Sequence, residues 1–150
     1  MEIRSDRRHR FDVGSDALWT RIEAVEEYES WWPWLSGFSA RGLVPGDTWR
    51  ATVHPPLPYV LRFAIVLGEV EAPRRVEAHI DGDIEGWARL SLRDVDGGSE
   101  ARLESVLSPR NGMLRRVATV ARPLVAFGHD WVLDAGFRQF ARRGLAETRS

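Results

Sequence analysis

The sequence predicts an α+β fold in which a curved antiparallel sheet of about seven strands wraps around a long C-terminal helix. Residues 37–109 alternate between apolar and polar side chains with period two, whereas residues 113–143 have helical periodicity. A length of 150 residues suits one domain with a single core, and 43% hydrophobic with 29% charged residues is typical of a folded globular chain. We therefore treat residues 1–150 as a single domain.

A strand and two short helices precede the period-two region. Residues 3–13 alternate loosely and predict the first strand. Ser15 stands where a helix N-cap belongs, and residues 16–23 carry apolar side chains at helical spacing. A second helical turn over residues 25–28 should end at the segment 31–34, because its proline disfavours helix in the residue before it.

The period-two region predicts six further strands joined by turns. Turn residues at 81–83 and 94–99 separate the strands, and the prolines of 55–58 cannot belong to a central strand. One face of the sheet is expected to be apolar and the other wet. The apolar face should contain Trp49, Ala51, Val53, Phe63, Ile65, Leu67, Val76, Ala78, Ile80, Ala88, Leu90, Leu92 and Leu103. The wet face should contain cross-strand pairs among Glu77, His79, Arg89, Arg102 and Glu104.

The last third of the chain predicts the long helix. Asn111 is a candidate N-cap, and the helix should run from Met113 to about Arg143 with a kink or a restart at Pro123. Most of its circumference is apolar between residues 117 and 140, so it should be covered on most sides. A curved sheet and a straight helix do not fit flush, and this mismatch predicts a cavity between them.

Four segments resemble a known superfamily over nearly the whole chain. Residues 13–19 lead into the first helix with a tryptophan, and residues 28–34 lead into a tryptophan-proline corner. Residues 97–102 form the hairpin before the last strand, and residues 128–140 belong to the closing helix. Together they resemble bacterial members of the START-like, or SRPBCC, superfamily of polyketide cyclases/dehydrases and lipid-transport proteins. The resemblance implies the helix-grip fold. It implies no single activity, because the superfamily includes lipid carriers, receptors, aromatase/cyclases and co-chaperones.

The predicted cavity suggests that the protein binds an apolar small molecule, a lipid or an aromatic, polyketide-like compound, as a carrier or sensor. Seven tryptophans are more than a core of this size needs, and such rings can wall a cavity. The predicted ligand-binding residues are Trp34, Trp49, Phe63, Ile65, Leu90, Leu103, Arg122, Val125, His129, Val132 and Phe140.

Arg122 and His129 are the two polar residues on the apolar arc of the helix. As functional groups, Arg122 would hold a carboxylate or enolate oxygen, and His129 would act as a donor or general base. As structural groups, His129 would hydrogen-bond a strand carbonyl and Arg122 would reach solvent. His129 and Asp130 are adjacent on the helix and are expected to point to different sides.

Two further classes of function remain open. An aromatase/cyclase or dehydratase would use the same cavity, with His129, Arg122, Tyr59 or His79 as its candidate proton-transfer groups. A protein-interaction module of co-chaperone type would expose an apolar patch. No catalytic signature is present, so whether the protein is an enzyme stays open at this stage.

Composition excludes several other classes. The chain has no cysteine, and His9, His54, His79 and His129 have no metal-ligand spacing, so we expect neither a metal nor a cofactor. A net charge of −1 argues against nucleic acid as a partner. The sequence shows neither an apolar leader segment nor an apolar run long enough to span a membrane, so we expect a cytoplasmic protein with no stable membrane insertion. We expect it to be a monomer or a weak homodimer.

Overall fold

The structure is a computed structural model that describes residues 2–110, 112, 114–116 and 122–145, with the backbone alone for 122–125. Seven strands make one sheet, with a 3₁₀ turn and two helices after the first strand. The elements are β1 (Ile3–Phe11), α1 (Ser15–Ile22), the 3₁₀ turn (Val25–Glu27), α2 (Tyr28–Trp31), β2 (Leu35–Ser39), β3 (Thr48–Val53), β4 (Leu61–Glu71), β5 (Arg75–Gly82), β6 (Ile84–Val95), β7 (Gly98–Pro109), α3 (Arg122–Gln139) and a π-helical turn (Phe140–Gly144).

The sheet is antiparallel throughout, in the spatial order β1-β7-β6-β5-β4-β3-β2. The strands from β2 to β7 form a meander, and β1 pairs with β7, so β1 and β2 are the two edges. The register shifts within the β2–β3 pair and within the β4–β5 pair. Such irregularities bend strands and increase their twist, which helps the sheet to curve.

The strand faces match the predicted alternation. Trp49, Leu67, Val76, Ile80 and Leu92 are buried on the concave face of the sheet. The prediction of an α+β helix-grip fold with about seven strands is confirmed.

The wet face also forms the predicted pairs. On that convex face, Arg89 Nε of β6 lies 2.9 Å from Glu77 Oε1 of β5, and Arg89 Nη1 lies 4.0 Å from Glu104 Oε1 of β7. Arg102 has its cross-strand partner on β1, where Asp6 Oδ2 lies 2.6 Å away, and its contact with Glu104 is within β7. His79 is exposed there.

The start of α1 differs from the prediction. The N-cap position is Gly14, not Ser15, and Ser15 is the first helical residue. Glycine has no side chain that could accept a hydrogen bond from the first N–H groups of the helix. The acceptor is instead a carboxylate of the β6–β7 hairpin, because the Ser15 backbone N–H donates to Asp94 Oδ1 at 2.8 Å. This hydrogen bond lowers the pKa of Asp94. The predicted end of the second helical segment is confirmed, because α2 stops at Trp31.

The C-terminal helix is described from Arg122 to Gln139 and continues as a π-helical turn to Gly144. The predicted N-cap Asn111 lies outside the described residues, as do 117–121, so the kink at Pro123 stays a prediction. Among the described residues, no helix is both long and apolar enough to cross a membrane.

Candidate functional site: a two-lobed cavity

A cavity of about 360 Å³ lies between the concave face of the sheet and α3, and we call it the larger lobe. The predicted site residues that line it are Trp34, Trp49, Phe63, Ile65, Leu90, Leu103, Val132 and Phe140. Trp31 and Trp32 close one end from the α2 side. The volume equals that of about a dozen water molecules and lies in the lower part of the range for small-molecule sites.

Four aromatic residues around the larger lobe, Tyr28, Trp32, Trp34 and Trp49, have their polar side-chain atoms bonded to the protein. Trp32 Nε1 donates to the Gly136 carbonyl at 3.0 Å, and Trp34 Nε1 donates to Gln139 Oε1 at 2.7 Å. Trp49 Nε1 donates to the Gly42 carbonyl at 3.0 Å. The Tyr28 hydroxyl donates to the Ile22 carbonyl, and burial raises the pKa of this tyrosine. The larger lobe therefore offers an apolar surface.

A smaller lobe of about 200 Å³ adjoins the larger one. Its polar wall residues are Tyr59, Ser105, Ser108 and His129. The two lobes lie side by side and share six wall residues: Val53, Phe63, Ala88, Leu103, Val132 and Leu133. Ser105 Oγ lies 2.6 Å from Ser5 Oγ, so these two hydroxyls bond each other.

His129 lies in the smaller lobe with its side chain only 12% exposed. Within the described part of the chain, neither of its ring nitrogens has a hydrogen-bond partner, so the expected bond to a strand carbonyl is wrong. The expectation that His129 and Asp130 point apart is also wrong: Nδ1 lies 3.5 Å from Asp130 Oδ1, in contact but without hydrogen-bond geometry. Burial lowers the pKa of His129, opposed by the Asp130 carboxylate and reinforced by the nearby Arg7 guanidinium.

Tyr59 approaches the helix beside His129. An alanine Cβ built at Gly128 would lie far inside the van der Waals radius of Tyr59 Oη and 2.7 Å from Leu57 Cδ1. Tyr59 is 7% exposed, and burial raises its pKa. Its hydroxyl has no hydrogen-bond partner in the described part of the chain. Glycine at position 128 therefore allows the tyrosine ring to lie directly against the helix backbone.

The inner face of β1 contributes residues that the sequence analysis missed. Arg7 donates to Asp130 Oδ1 at 2.7 Å, and His9 stacks on Phe137 with ring centroids 5.3 Å apart. Burial lowers the pKa of His9. The signal was available, because both residues share the odd-numbered face with the buried Phe11.

Three of the candidate residues are not placed at the site by the described part of the chain. The side chains of Arg122 and Val125 lie outside the described residues. His79 lies on the convex face of the sheet, away from both lobes. Among described residues, no group of three histidine or acidic side chains could hold a metal ion.

The fold and the cavity define the class: a helix-grip protein that encloses an apolar, two-lobed space. No family model matches the chain, and no curated protein matches it significantly. Solved structures do. The di-domain aromatase/cyclase BexL of the BE-7585A biosynthetic pathway is 14% identical with a TM-score of 0.75, over 97% of this chain and 50% of that one.

Two other solved structures match over nearly their whole length. A Thalictrum flavum norcoclaurine synthase point mutant is 12% identical with a TM-score of 0.70, over 100% of this chain and 98% of that one. Ara h 8.0201 is 10% identical with a TM-score of 0.65, over 97% and 99%. These likenesses show that the chain has the helix-grip fold, which is the fold that the resemblance to the START-like superfamily predicts.

Proposed function

We propose that the protein binds an apolar small molecule, a lipid or an aromatic, polyketide-like compound, between the sheet and α3 as a carrier or sensor. The observation that carries this proposal is the larger lobe, which apolar side chains line and in which the indole N–H groups of Trp32, Trp34 and Trp49 are bonded to the protein. Burial of about 300 Å² of ligand surface at roughly 25 cal/mol per Å² contributes about 7 kcal/mol before the costs of association. The cytoplasmic location and the monomeric or weakly dimeric state stay predictions.

Native mass spectrometry of the purified protein tests the proposal directly. We expect a retained apolar molecule at about one per chain, which release and mass analysis would identify. For protein without a retained molecule, the uncharged fluorophore N-phenyl-1-naphthylamine serves as a probe of the cavity. A protein that carries no molecule and binds neither the probe nor a panel of fatty acids, sterols and aromatic polyketides would contradict the proposal.

A matched pair of variants locates the binding. Ala88 lines both lobes, so a phenyl ring at Ala88→Phe would fill space where they adjoin and should weaken probe binding at least tenfold. Ala64→Phe adds the same ring to β4 at a position that lines neither lobe, and it should leave probe binding unchanged. Equal effects of the two variants would place the probe outside the cavity.

A second candidate function is an aromatase/cyclase- or dehydratase-like reaction in the same cavity. It is favoured by the buried, unbonded His129 ring beside the unbonded Tyr59 hydroxyl, which are groups able to move a proton next to a carbonyl. If the protein is such an enzyme, His129→Ala should abolish turnover of a bound polyketide-like substrate while sparing its binding. The co-chaperone alternative rests on exposed Val66 and Trp87 of the convex face.

A further inference from the structure

We propose that the smaller lobe binds an uncharged oxygen of the ligand, a phenolic hydroxyl or a ketone, through Tyr59 and His129, and that it rejects carboxylates. The inference rests on the proposed function and names the ligand class within it. Tyr59, Gly128 and His129 all line this lobe, and the Tyr59 hydroxyl lies against Gly128, the residue that precedes His129.

These two side chains have hydrogen-bonding capacity that the protein does not use. Both His129 ring nitrogens are sealed from solvent without a partner, and a buried polar group without a partner is costly. A rotation of the ring about its Cβ–Cγ bond would bring a nitrogen to the lobe. Of the two serines in the wall, Ser105 is already bonded to Ser5 of β1. A ligand oxygen here would supply bonds that His129 and Tyr59 lack.

The charges around the lobe favour a neutral ligand. No acidic side chain and no arginine is among the described residues that line either lobe. The charges that act on His129 are Arg7 of β1 and Asp130 of α3, which compensate each other at 2.7 Å. A carboxylate buried without its own cation would carry a large desolvation cost. The sequence-based alternative, in which Arg122 holds a carboxylate, predicts the opposite ligand preference.

A matched ligand series separates these readings. Octylbenzene, 4-octylphenol and 4-octylbenzoate share one apolar body and would compete with N-phenyl-1-naphthylamine at pH 7.5. A hydroxyl buried without a partner would make the phenol bind more weakly than the hydrocarbon. With Tyr59 and His129 as partners, we expect the phenol to bind at least as tightly as octylbenzene and at least tenfold more tightly than the benzoate.

Variants then assign the effect to the two side chains. Tyr59→Phe and His129→Leu should each lower the ratio of phenol affinity to octylbenzene affinity by about tenfold, which is the loss of one hydrogen bond to a buried group. The control His54→Leu removes an exposed histidine that bonds Ser36 outside both lobes, and it should leave the ratio unchanged. Circular dichroism would verify that each variant is folded.

The outcomes are distinct. Tightest binding of 4-octylbenzoate would overturn the inference in favour of the Arg122 alternative. A ratio that neither variant changes would limit Tyr59 and His129 to a structural role and overturn the inference while the proposed function stands. Failure of the wild-type protein to bind the probe or any of the three compounds would remove the proposed function, and the inference with it.

Discussion

Replacing Gly128 with alanine tests the packing of Tyr59 on α3, which shapes the smaller lobe. The added Cβ would overlap Tyr59 Oη and lie 2.7 Å from Leu57 Cδ1. Tyr59 is 7% exposed, so its ring cannot yield without exposing apolar surface. Overpacking of this kind costs about 1–3 kcal/mol. Alanine is favoured over glycine inside a helix by about 1 kcal/mol, which offsets part of that cost.

Gly136→Ala on the same helix is the matched control. Its Cβ would meet Trp34 Cζ2 at 3.8 Å, an ordinary van der Waals distance. The helix-propensity gain is common to the two variants, so it cancels in their difference. We expect Gly128→Ala to be less stable than Gly136→Ala by about 1–3 kcal/mol in the free energy of unfolding. Urea unfolding followed by tryptophan fluorescence measures this difference.

The cause can be isolated in a double-mutant cycle. Tyr59→Phe removes the overlapping oxygen, and the nearest ring atom, Cζ, would then lie 3.3 Å from the new Cβ. We expect the two substitutions together to be about 1 kcal/mol more stable than the sum of their separate effects. If Gly128→Ala proved as stable as Gly136→Ala, or if the cycle showed no coupling, the placement of Tyr59 against the helix would be refuted.

Three further predictions concern pH, helix capping and surface charge. The folded pKa of His129 lies below its ordinary value near 6.5, so the unfolded chain binds more protons, and stability should fall as pH drops below about 6.5. Urea unfolding between pH 7.5 and 5 should show a smaller fall in the free energy of unfolding for His129→Gln than for the wild-type protein. Identical pH profiles of the two proteins would contradict the assignment of this fall to His129. Asp94→Ala should lower the melting temperature by about 3 °C through loss of the bond from the α1 terminus, whereas Asp96→Ala in the same hairpin should not. Arg102→Ala should change the melting temperature by less than 2 °C, because its pairs are exposed and screened; a larger change would show that the convex ion pairs hold the sheet together.

The sheet could be predicted from sequence because side chains alternate strictly between its faces. Trp49, Phe63 and Leu90 each belong to a run of apolar residues at every second position of their strand. Such a strand can bury its apolar side chains only if this face points to the core. The same alternation predicted the apolar part of the site, because the residues on the concave face of the strands line the larger lobe.

The polar half of the site depends on contacts that no local pattern encodes. Arg7 reaches Asp130 across 123 positions of sequence, and Tyr59 reaches Gly128 because of the path that a proline-rich loop takes. The approach of Asp130 to His129 depends on the rotamers of two adjacent side chains, which the helical wheel does not specify. Such contacts follow from the tertiary arrangement, so the sequence suggested His129 as a candidate but not its surroundings.

The bonded indole groups determine how a molecule would behave in the larger lobe. Because Trp32, Trp34 and Trp49 donate their N–H groups to the protein, these three indoles cannot also hold a guest at one angle. A guest there would keep much of its freedom to rotate and slide, which lowers the entropy cost of binding. The larger lobe would then select ligands by size and shape. Affinity should therefore change gradually along a series of homologous compounds that differ by one methylene group.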